Sequence, residues 1–350
     1  MFSILKKIFA YLLILINSFT GINLNNDANL VSNRIYVYNN VGVNDSEVSA
    51  INCLNRYYVP SINMPDQQRY FKANVIKNIN RNIDRITVGS SHMLTIRYDD
   101  DKIDHMNFAV GGATLQDRLS IFGLLHYFGI KYNYVNLELD IPSFTTNAFK
   151  INTEEKAFDE YAEYFKKVLN DEDVSDFEYA DFNKNYVNNY DYMGYNLNYK
   201  TKDALSISDK FYYDKEASQH IPYEVDVGNE DYIKQTILNL SFADAELKDM
   251  HINKESINTF NKLFDYFEKN DVTINIILVP RSPYVYDSEK MASFPIVNEI
   301  MEYAFSLAKN RGISITGSLN PHYINVKDDD YFDAFHLKQK VSNSVFDIRR

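Results

Sequence analysis

The chain has one cysteine, Cys53, among its 350 residues, which excludes an internal disulfide and leaves the redox compartment undefined. It also lacks an excess of positive charge, because 36 lysines and arginines stand against 48 aspartates and glutamates. The net charge of −12 disfavours nucleic-acid binding, since phosphates would meet no basic surface. Five histidines show no metal-ligand spacing: His105, His126, His220, His251 and His322. We therefore predict no nucleic-acid partner, no metal and no cofactor.

The N-terminus indicates a compartment. Lys6 and Lys7 precede the apolar run Ile8–Ile16. That run is shorter than the roughly 20 apolar residues of a membrane-spanning helix and fits the 7–15 residues of a signal h-region. We predict that residues 1–21 are a signal peptide or an uncleaved signal anchor, with a buried N-terminal helix as the alternative. The expected location is extracytoplasmic, in the periplasm or at the cell surface.

Strand and helix patterns alternate along most of the chain, which is typical of a parallel sheet with helical crossovers. We predict strands at Arg85–Gly89, Phe108–Val110, Tyr132–Leu139, Val272–Val279 and Ile313–Thr316. We predict helices at Asp66–Asn82, from Ala113, at Lys254–Lys269, about Glu289–Lys309 and about Lys338–Ile348. The predicted fold class is α/β, a three-layer α/β/α flavodoxin-like domain over residues 22–350. A helical or irregular insertion at about 145–235 interrupts it over the edge of the sheet.

Two short motifs lie at opposite ends of this pattern. Gly89-Ser90-Ser91 follows the first core strand, and Asp333 precedes His336 by three residues after the last one. Functional groups in open parallel sheets gather at the carboxyl ends of strands. A serine nucleophile, a histidine base and an aspartate that orients the base make a Ser-His-Asp esterase. The alternatives are a helix-capping role for Ser91 and a solvated loop role for Asp333. His92 is left outside the predicted triad, because a chain neighbour usually points elsewhere.

This arrangement resembles the SGNH (GDSL-type) hydrolase superfamily. Gly89-Ser90-Ser91 matches its first block, which implies that Ser91 is the nucleophile. Residues 107–112 approximate the second block, which implies an oxyanion hole formed by the backbone N–H groups of Ser91 and Ala109, with Asn107 supporting the loop. Asp333 and His336 match the final Asp-x-x-His. The resemblance covers roughly residues 80–142 and 253–348.

The third block of the superfamily is the largest departure. Leu137-Glu138-Leu139-Asp140 has no asparagine where the family has an oxyanion donor. Losing one such donor can cost about 10²–10³ in rate, so we predict acyl transfer or slow deacetylation rather than fast esterolysis. The chain looks more like the exported bacterial branch with DltD-like and AlgX/AlgJ-like proteins, which handle acyl groups on envelope polymers. That likeness implies an acylated glycan as substrate and a membrane-bound O-acyltransferase as partner.

Two further residues are candidates for substrate binding. Asp140 ends a core strand at the expected active face, where a turn or cap role is the alternative. Arg281 follows the Val272–Val279 strand and could bind an anionic substrate or lie on the surface. The leading hypothesis is an exported serine esterase or O-acyltransferase. The other is a catalytically silent scaffold that binds a glycan or a membrane acyltransferase.

Overall fold

A parallel sheet of five strands forms the centre of the molecule. The computed structural model describes residues 50–51, 53–54, 59–60, 65–98, 102–145, 156–178, 212–213, 216–220, 248–331 and 333–346. In chain order the strands are β1 Val59–Pro60, β2 Ile83–Val88, β3 His105–Asn107, β4 Tyr132–Glu138, β5 Tyr212–Tyr213, β6 Gln219–His220, β7 Thr273–Leu278 and β8 Ser314–Gly317. The parallel sheet has the order β3-β2-β4-β7-β8, and β1, β5 and β6 form a small antiparallel sheet.

Helices connect and flank these strands. They are α1 Pro65–Asn78, α2 Leu115–Tyr127, α3 Lys156–Leu169, α4 Lys254–Lys269, α5 Pro283–Ser288, α6 Pro295–Arg311 and α7 Gln339–Val345. Local sequence fixes several of their ends. Thr114 and Asp117 form a capping box at the start of α2, and Gly312 ends α6 in the left-handed conformation (φ 68°). The fold is α/β with a parallel sheet flanked by helices, as a three-layer flavodoxin-like architecture requires.

The two faces of the sheet differ in character. Side chains alternate along each strand, so registered neighbours share a face. Ile86 and Val135 lie on the apolar face and belong to the main hydrophobic core. The opposite face carries a polar row, in which Thr87, Asn136 and Asn275 are aligned and joined by side-chain hydrogen bonds. Residues 93–98 and parts of 324–346 cover this second face, around a smaller apolar cluster.

Most predicted elements agree with the structure to within a few residues, but one strand is wrong. We predicted a strand at Phe108–Val110, whereas β3 is His105–Asn107. The apolar residues are buried because they enter the core just after the strand, where Phe108 N–H binds Thr87 O and Val110 N–H binds Gly89 O. The helix predicted at about Glu289–Lys309 begins later, because a short 3₁₀ turn occupies Met291–Ser293 and α6 spans Pro295–Arg311.

Parts of the predicted insertion are described. Helix α3 packs against α2 so closely that a Cβ on Gly123 would overlap the carbonyl of Tyr161. Further along, Gln219 N–H binds the carbonyl of Leu94, 2.7 Å away. The insertion therefore supports the loop that follows Ser91. Its remainder and the predicted signal at 1–21 lie outside the described residues. Within the described part of the chain, no helix is long and apolar enough to cross a membrane.

Candidate active site

Ser91 lies at the carboxyl end of β2, at the first position of a 3₁₀ turn that spans Ser91–Met93. The turn is tight because its hydrogen bonds run from Met93 N–H to Ser90 O and from Leu94 N–H to Ser91 O. Ser91 is only partly buried, so the turn presents its hydroxyl at the surface of the sheet's edge. The backbone N–H groups at the start of a 3₁₀ turn have no hydrogen-bond acceptor within the turn. The N–H of Ser91, its first residue, therefore makes no hydrogen bond inside this turn.

His336 and Asp333 meet this hydroxyl from the other end of the chain. His336 Nε2 lies 2.8 Å from Ser91 Oγ, and His336 Nδ1 lies 2.7 Å from Asp333 Oδ2. Asp333 Oδ1 also accepts the backbone N–H groups of Phe335 and His336, each at 2.8 Å. These bonds fix the carboxylate and the ring together. The structure thus assembles Ser91, His336 and Asp333 in the order that Ser-His-Asp chemistry needs.

The environment keeps Asp333 ionised. Burial by itself raises the pKa of Asp333, but the hydrogen bond and charge of His336 and the two backbone N–H bonds lower it below its ordinary value overall. A carboxylate that stays charged can hold the Nδ1 proton of His336. The Nε2 atom, which faces Ser91 Oγ, is then the one that can accept the proton of Ser91.

The predicted oxyanion donor Ala109 does not have an available N–H. That N–H donates to Asn107 Oδ1 at 2.9 Å, and Ala109 is fully buried. Asn107 supports the loop, as predicted, because its Nδ2 donates to the carbonyls of Met93, Leu94 and Ile96. The prediction that Ala109 binds the oxyanion is therefore wrong for this geometry: the asparagine that fixes the loop takes the donor.

Asp140, which we predicted to bind substrate, has a structural role in the region of the third block. Leu139, within that region, is fully buried and offers no polar side chain. Asp140 is 5% exposed, caps the 3₁₀ turn Ile141–Phe144 through Ser143 N–H and binds Arg118. Asp140 therefore has the turn role, and the substrate-binding prediction is wrong because its carboxylate is buried and held by partners in the fold.

A second polar cluster, which the sequence interpretation missed, adjoins the triad. We name it the Glu138 cluster; its members are Ser90, His92, Arg118 and Glu138. Fully buried Glu138 accepts from Ser90 N–H at 2.5 Å, binds His92 Nδ1 at 2.9 Å and pairs with Arg118 Nη2 at 3.3 Å. The rings of His92 and His336 lie 5.3 Å apart, centroid to centroid. The sequence signal was the one carboxylate of β4, Glu138, which is the last residue of the strand.

Opposite charges in this cluster stabilise each other. Burial raises the pKa of Glu138, but the hydrogen bond and charge of His92 and the charge of Arg118 outweigh it and bring this pKa down to about 2. Burial lowers the pKa of His92, and the hydrogen bond and charge of Glu138 reverse that effect, so the pKa is raised overall. Each of the two groups therefore favours the charged form of the other.

Gly89 makes room for the Glu138 cluster. A Cβ on Gly89 would lie 2.5 Å from Met93 Cγ and 2.7 Å from Glu138 Oε2. The glycine that allows the tight turn before Ser91 thus also lets Glu138 reach across from β4 to the backbone of Ser90. This close approach is the specific reason for glycine at position 89.

Arg281 lies at the rim of the same site. Its guanidinium carbon is 5.0 Å from the centroid of the Phe335 ring, next to His336 in the chain. Its positive charge opposes the upward shift in the pKa of His92, which indicates that the guanidinium is close to that ring. Arg281 is partly exposed, so an anionic group of a substrate could reach it.

Among the described residues, His92, Glu138 and Asp140 form the only group of three side chains that could hold a metal, with ligand atoms within 4.8 Å of one another. Arg118 already binds both carboxylates and supplies the positive charge that a cation would bring. The prediction of no metal stays a prediction.

A similar Thr-His-Glu chain occurs in the core. Thr87 Oγ1 lies 2.9 Å from His105 Nε2, and His105 Nδ1 lies 2.6 Å from Glu216 Oε2. Thr87 and His105 are buried to 0% and 2% exposure, so substrate cannot reach them. Solvent access, and not hydrogen-bond geometry alone, therefore distinguishes the Ser91 site.

No protein-family model, curated protein or solved structure matched this chain in the comparisons made. The candidate active site therefore stands on its own geometry: an accessible hydroxyl, a base in contact with it and a carboxylate that orients the base. Such an arrangement can carry out nucleophilic attack on an acyl carbonyl.

Proposed function

We propose that the protein is a serine esterase or O-acyltransferase of the SGNH type. The observation that carries the proposal is the hydrogen-bond chain from Ser91 Oγ to His336 and from His336 to Asp333, with distances of 2.8 Å and 2.7 Å. The first distance is within the range in which a base accepts a proton from a nucleophile, and the second is a hydrogen bond that orients the base.

The reaction proceeds in two acyl transfers. Ser91 Oγ attacks the acyl carbonyl carbon while His336 Nε2 takes its proton, and the carbonyl electron pair moves onto oxygen. The tetrahedral intermediate collapses, the C–O bond to the alcohol breaks, and His336 returns the proton to that alcohol. A water molecule or an acceptor hydroxyl then attacks the acyl-serine and gives its proton to His336. The bond between the acyl carbon and Ser91 Oγ then breaks, and His336 returns its proton to Ser91 Oγ. Asp333 stabilises the imidazolium in both halves.

The substrate class that we propose is an acyl ester, such as acetyl, of a cell-envelope glycan. Arg281 at the rim suits a polymer that carries anionic groups. The apolar run after Lys6 and Lys7 supports export, and the likeness to the exported branch of the superfamily supports a membrane-bound O-acyltransferase as partner. The third block has no oxyanion donor, so the activation barrier must be lowered by positioning of a specific substrate. This requirement favours acyl transfer over rapid hydrolysis.

Trapping of the acyl-enzyme tests the proposal. The full chain is incubated with p-nitrophenyl acetate, quenched in acid and analysed by intact mass. We expect an acetyl adduct in the wild type, slow turnover, and neither adduct nor turnover in Ser91→Ala. The matched control is Ser282→Ala, which removes the hydroxyl of a fully buried serine that caps α5. An unchanged adduct in Ser91→Ala contradicts the proposal.

One observation favours the second candidate, a catalytically silent glycan-binding scaffold: the N–H of Ala109 is already hydrogen-bonded. A scaffold would retain the triad geometry without forming a covalent adduct. Failure of both the acetyl ester and a serine-directed fluorophosphonate to modify Ser91 in folded protein would favour the scaffold.

A further inference from the structure

The acyl reaction needs hydrogen-bond donors for the oxyanion, and the loop after β3 supplies few. Every backbone N–H from 108 to 111 donates within the fold: Phe108 to Thr87 O, Ala109 to Asn107 Oδ1, Val110 to Gly89 O and Gly111 to Gln68 Oε1. Leu139, in the third-block region, is buried and offers no polar side chain. A charge that develops beside Ser91 must therefore be stabilised by other groups.

His92 is placed to supply a donor. Its Nδ1 is directed at the buried carboxylate of Glu138, 2.9 Å away, so Nε2, on the opposite edge of the ring, points away from Glu138. The side chain is 21% exposed, and its ring lies 5.3 Å from that of His336. Among the described residues, His92 Nε2 has no hydrogen-bond partner. We propose that the Nε2–H of His92 donates a hydrogen bond to the oxyanion formed when Ser91 attacks.

The groups around His92 favour the protonated ring that this role needs. Glu138 and Asp140 are negative and raise the pKa of His92, whereas burial and the positive charge of Arg281 lower it, with a net upward shift. Ser90 Oγ lies 3.0 Å from His92 Nδ1, and the ring of His336 is adjacent. With Nδ1–H bound to Glu138, only the imidazolium carries a second N–H at Nε2.

The inference rests on the proposed function and adds a catalytic residue to it. A preorganised charged donor stabilises developing negative charge strongly, because its orientation needs no rearrangement during the reaction. His92 would occupy the chemical role of the absent asparagine. His336 remains the base, so the two histidines have opposite charge requirements in one site.

The test is the rate at which a fluorophosphonate probe modifies Ser91 in the full chain. In that reaction the Ser91 Oγ–P bond forms, the P–F bond breaks, fluoride leaves and the proton passes to His336. We expect His92→Leu to lower the second-order rate constant by about 10²-fold, the typical cost of one oxyanion donor. His92→Gln, which keeps an amide N–H, should recover part of the rate. His251→Leu removes an exposed histidine that also binds a glutamate, and should have no effect.

The pH profile separates a donor role from a structural one. In the wild type the rate should fall with rising pH as His92, whose pKa is raised from the ordinary value, loses its proton. The fall should disappear in His92→Leu. If that variant does not fold, the wild-type profile decides alone: a plateau extending to about pH 10, near which tyrosines ionise, overturns the proposal. Normal labelling in His92→Leu overturns only the role of His92, whereas absence of Ser91 labelling in the wild type overturns the proposed function as well.

Discussion

The rings of His92 and His336 lie 5.3 Å apart, and each binds a carboxylate of its own. His336 pairs with Asp333 and contacts the Ser91 hydroxyl, whereas His92 pairs with Glu138, which is fully buried. The two pairs differ in exposure and in partners, so their imidazoles are suited to different tasks. In the reaction that we propose, the first accepts a proton and the second keeps one.

Replacement of the orienting carboxylate tests the first pair. Asp333→Asn should leave the fold intact and lower the rate of Ser91 modification by about 10⁴-fold, because the ring of His336 loses its correct tautomer. Rates are measured with the fluorophosphonate probe. Asp287→Asn is the matched control, since Asp287 binds an exposed histidine, His322, at 2.9 Å. Equal rates in the two variants would contradict a role for Asp333 in orienting the base.

Gly89→Ala should distort the site through the Glu138 cluster. The added methyl would lie 2.7 Å from Glu138 Oε2, so the carboxylate or the turn must move. We expect a loss of about 1–3 kcal/mol in the free energy of unfolding, measured by urea denaturation, together with slower labelling of Ser91. In Gly129→Ala the added Cβ would have no atom within 4 Å, so the only cost is the backbone strain of an alanine at φ 66°. That control should lose about 1 kcal/mol and label normally.

The buried Thr87–His105–Glu216 chain should affect stability rather than chemistry. His105→Asn breaks two hydrogen bonds in the core and should lower the free energy of unfolding by about 1–3 kcal/mol, measured by urea denaturation. The folded fraction should still react with the probe at the wild-type rate. A loss of labelling without a loss of stability would show that this chain takes part in the reaction.

Acid stability should report the ionisation of Glu138. Its folded pKa of about 2 lies below the ordinary value of 4.5, so its contribution is complete above pH 4.5 and is lost as the pH falls toward about 2. The pKa of Asp140 is raised by burial, which offsets part of that loss. Glu138→Gln should remove much of the pH dependence in this window, measured by urea denaturation at a series of pH values. Glu163→Gln, at an exposed pair, should keep it.

The periodicity of apolar residues along the chain was enough to predict four of the five strands of the parallel sheet. Alternation of buried strands and amphipathic helices located β2, β4, β7 and β8 to within a few residues, and α4 matches the predicted Lys254–Lys269. Only β3 was displaced, because its own residues, His105 and Asn107, are polar while the apolar segment comes next. Burial of that segment is set by tertiary packing, which local hydrophobicity does not distinguish from a strand.

The triad was predictable for the same reason, since parallel strands bring their carboxyl ends to one edge. The Glu138 cluster was not, because it depends on contacts across neighbouring strands. Gly89 must lack a side chain for Glu138 to reach Ser90, and Arg118 must enter from α2 to neutralise the carboxylate. The hydrogen bond that occupies the N–H of Ala109 likewise depends on the rotamer of Asn107. Sequence spacing alone carries none of these distances.

The central claim is that Ser91 is a nucleophile activated by His336. Peptide mapping of the folded full chain after treatment with a fluorophosphonate tests it most directly. We predict one adduct, on Ser91, which forms in the wild type and is lost in both Ser91→Ala and His336→Gln. A folded protein that gains no adduct, or that carries it on another residue, would contradict the account.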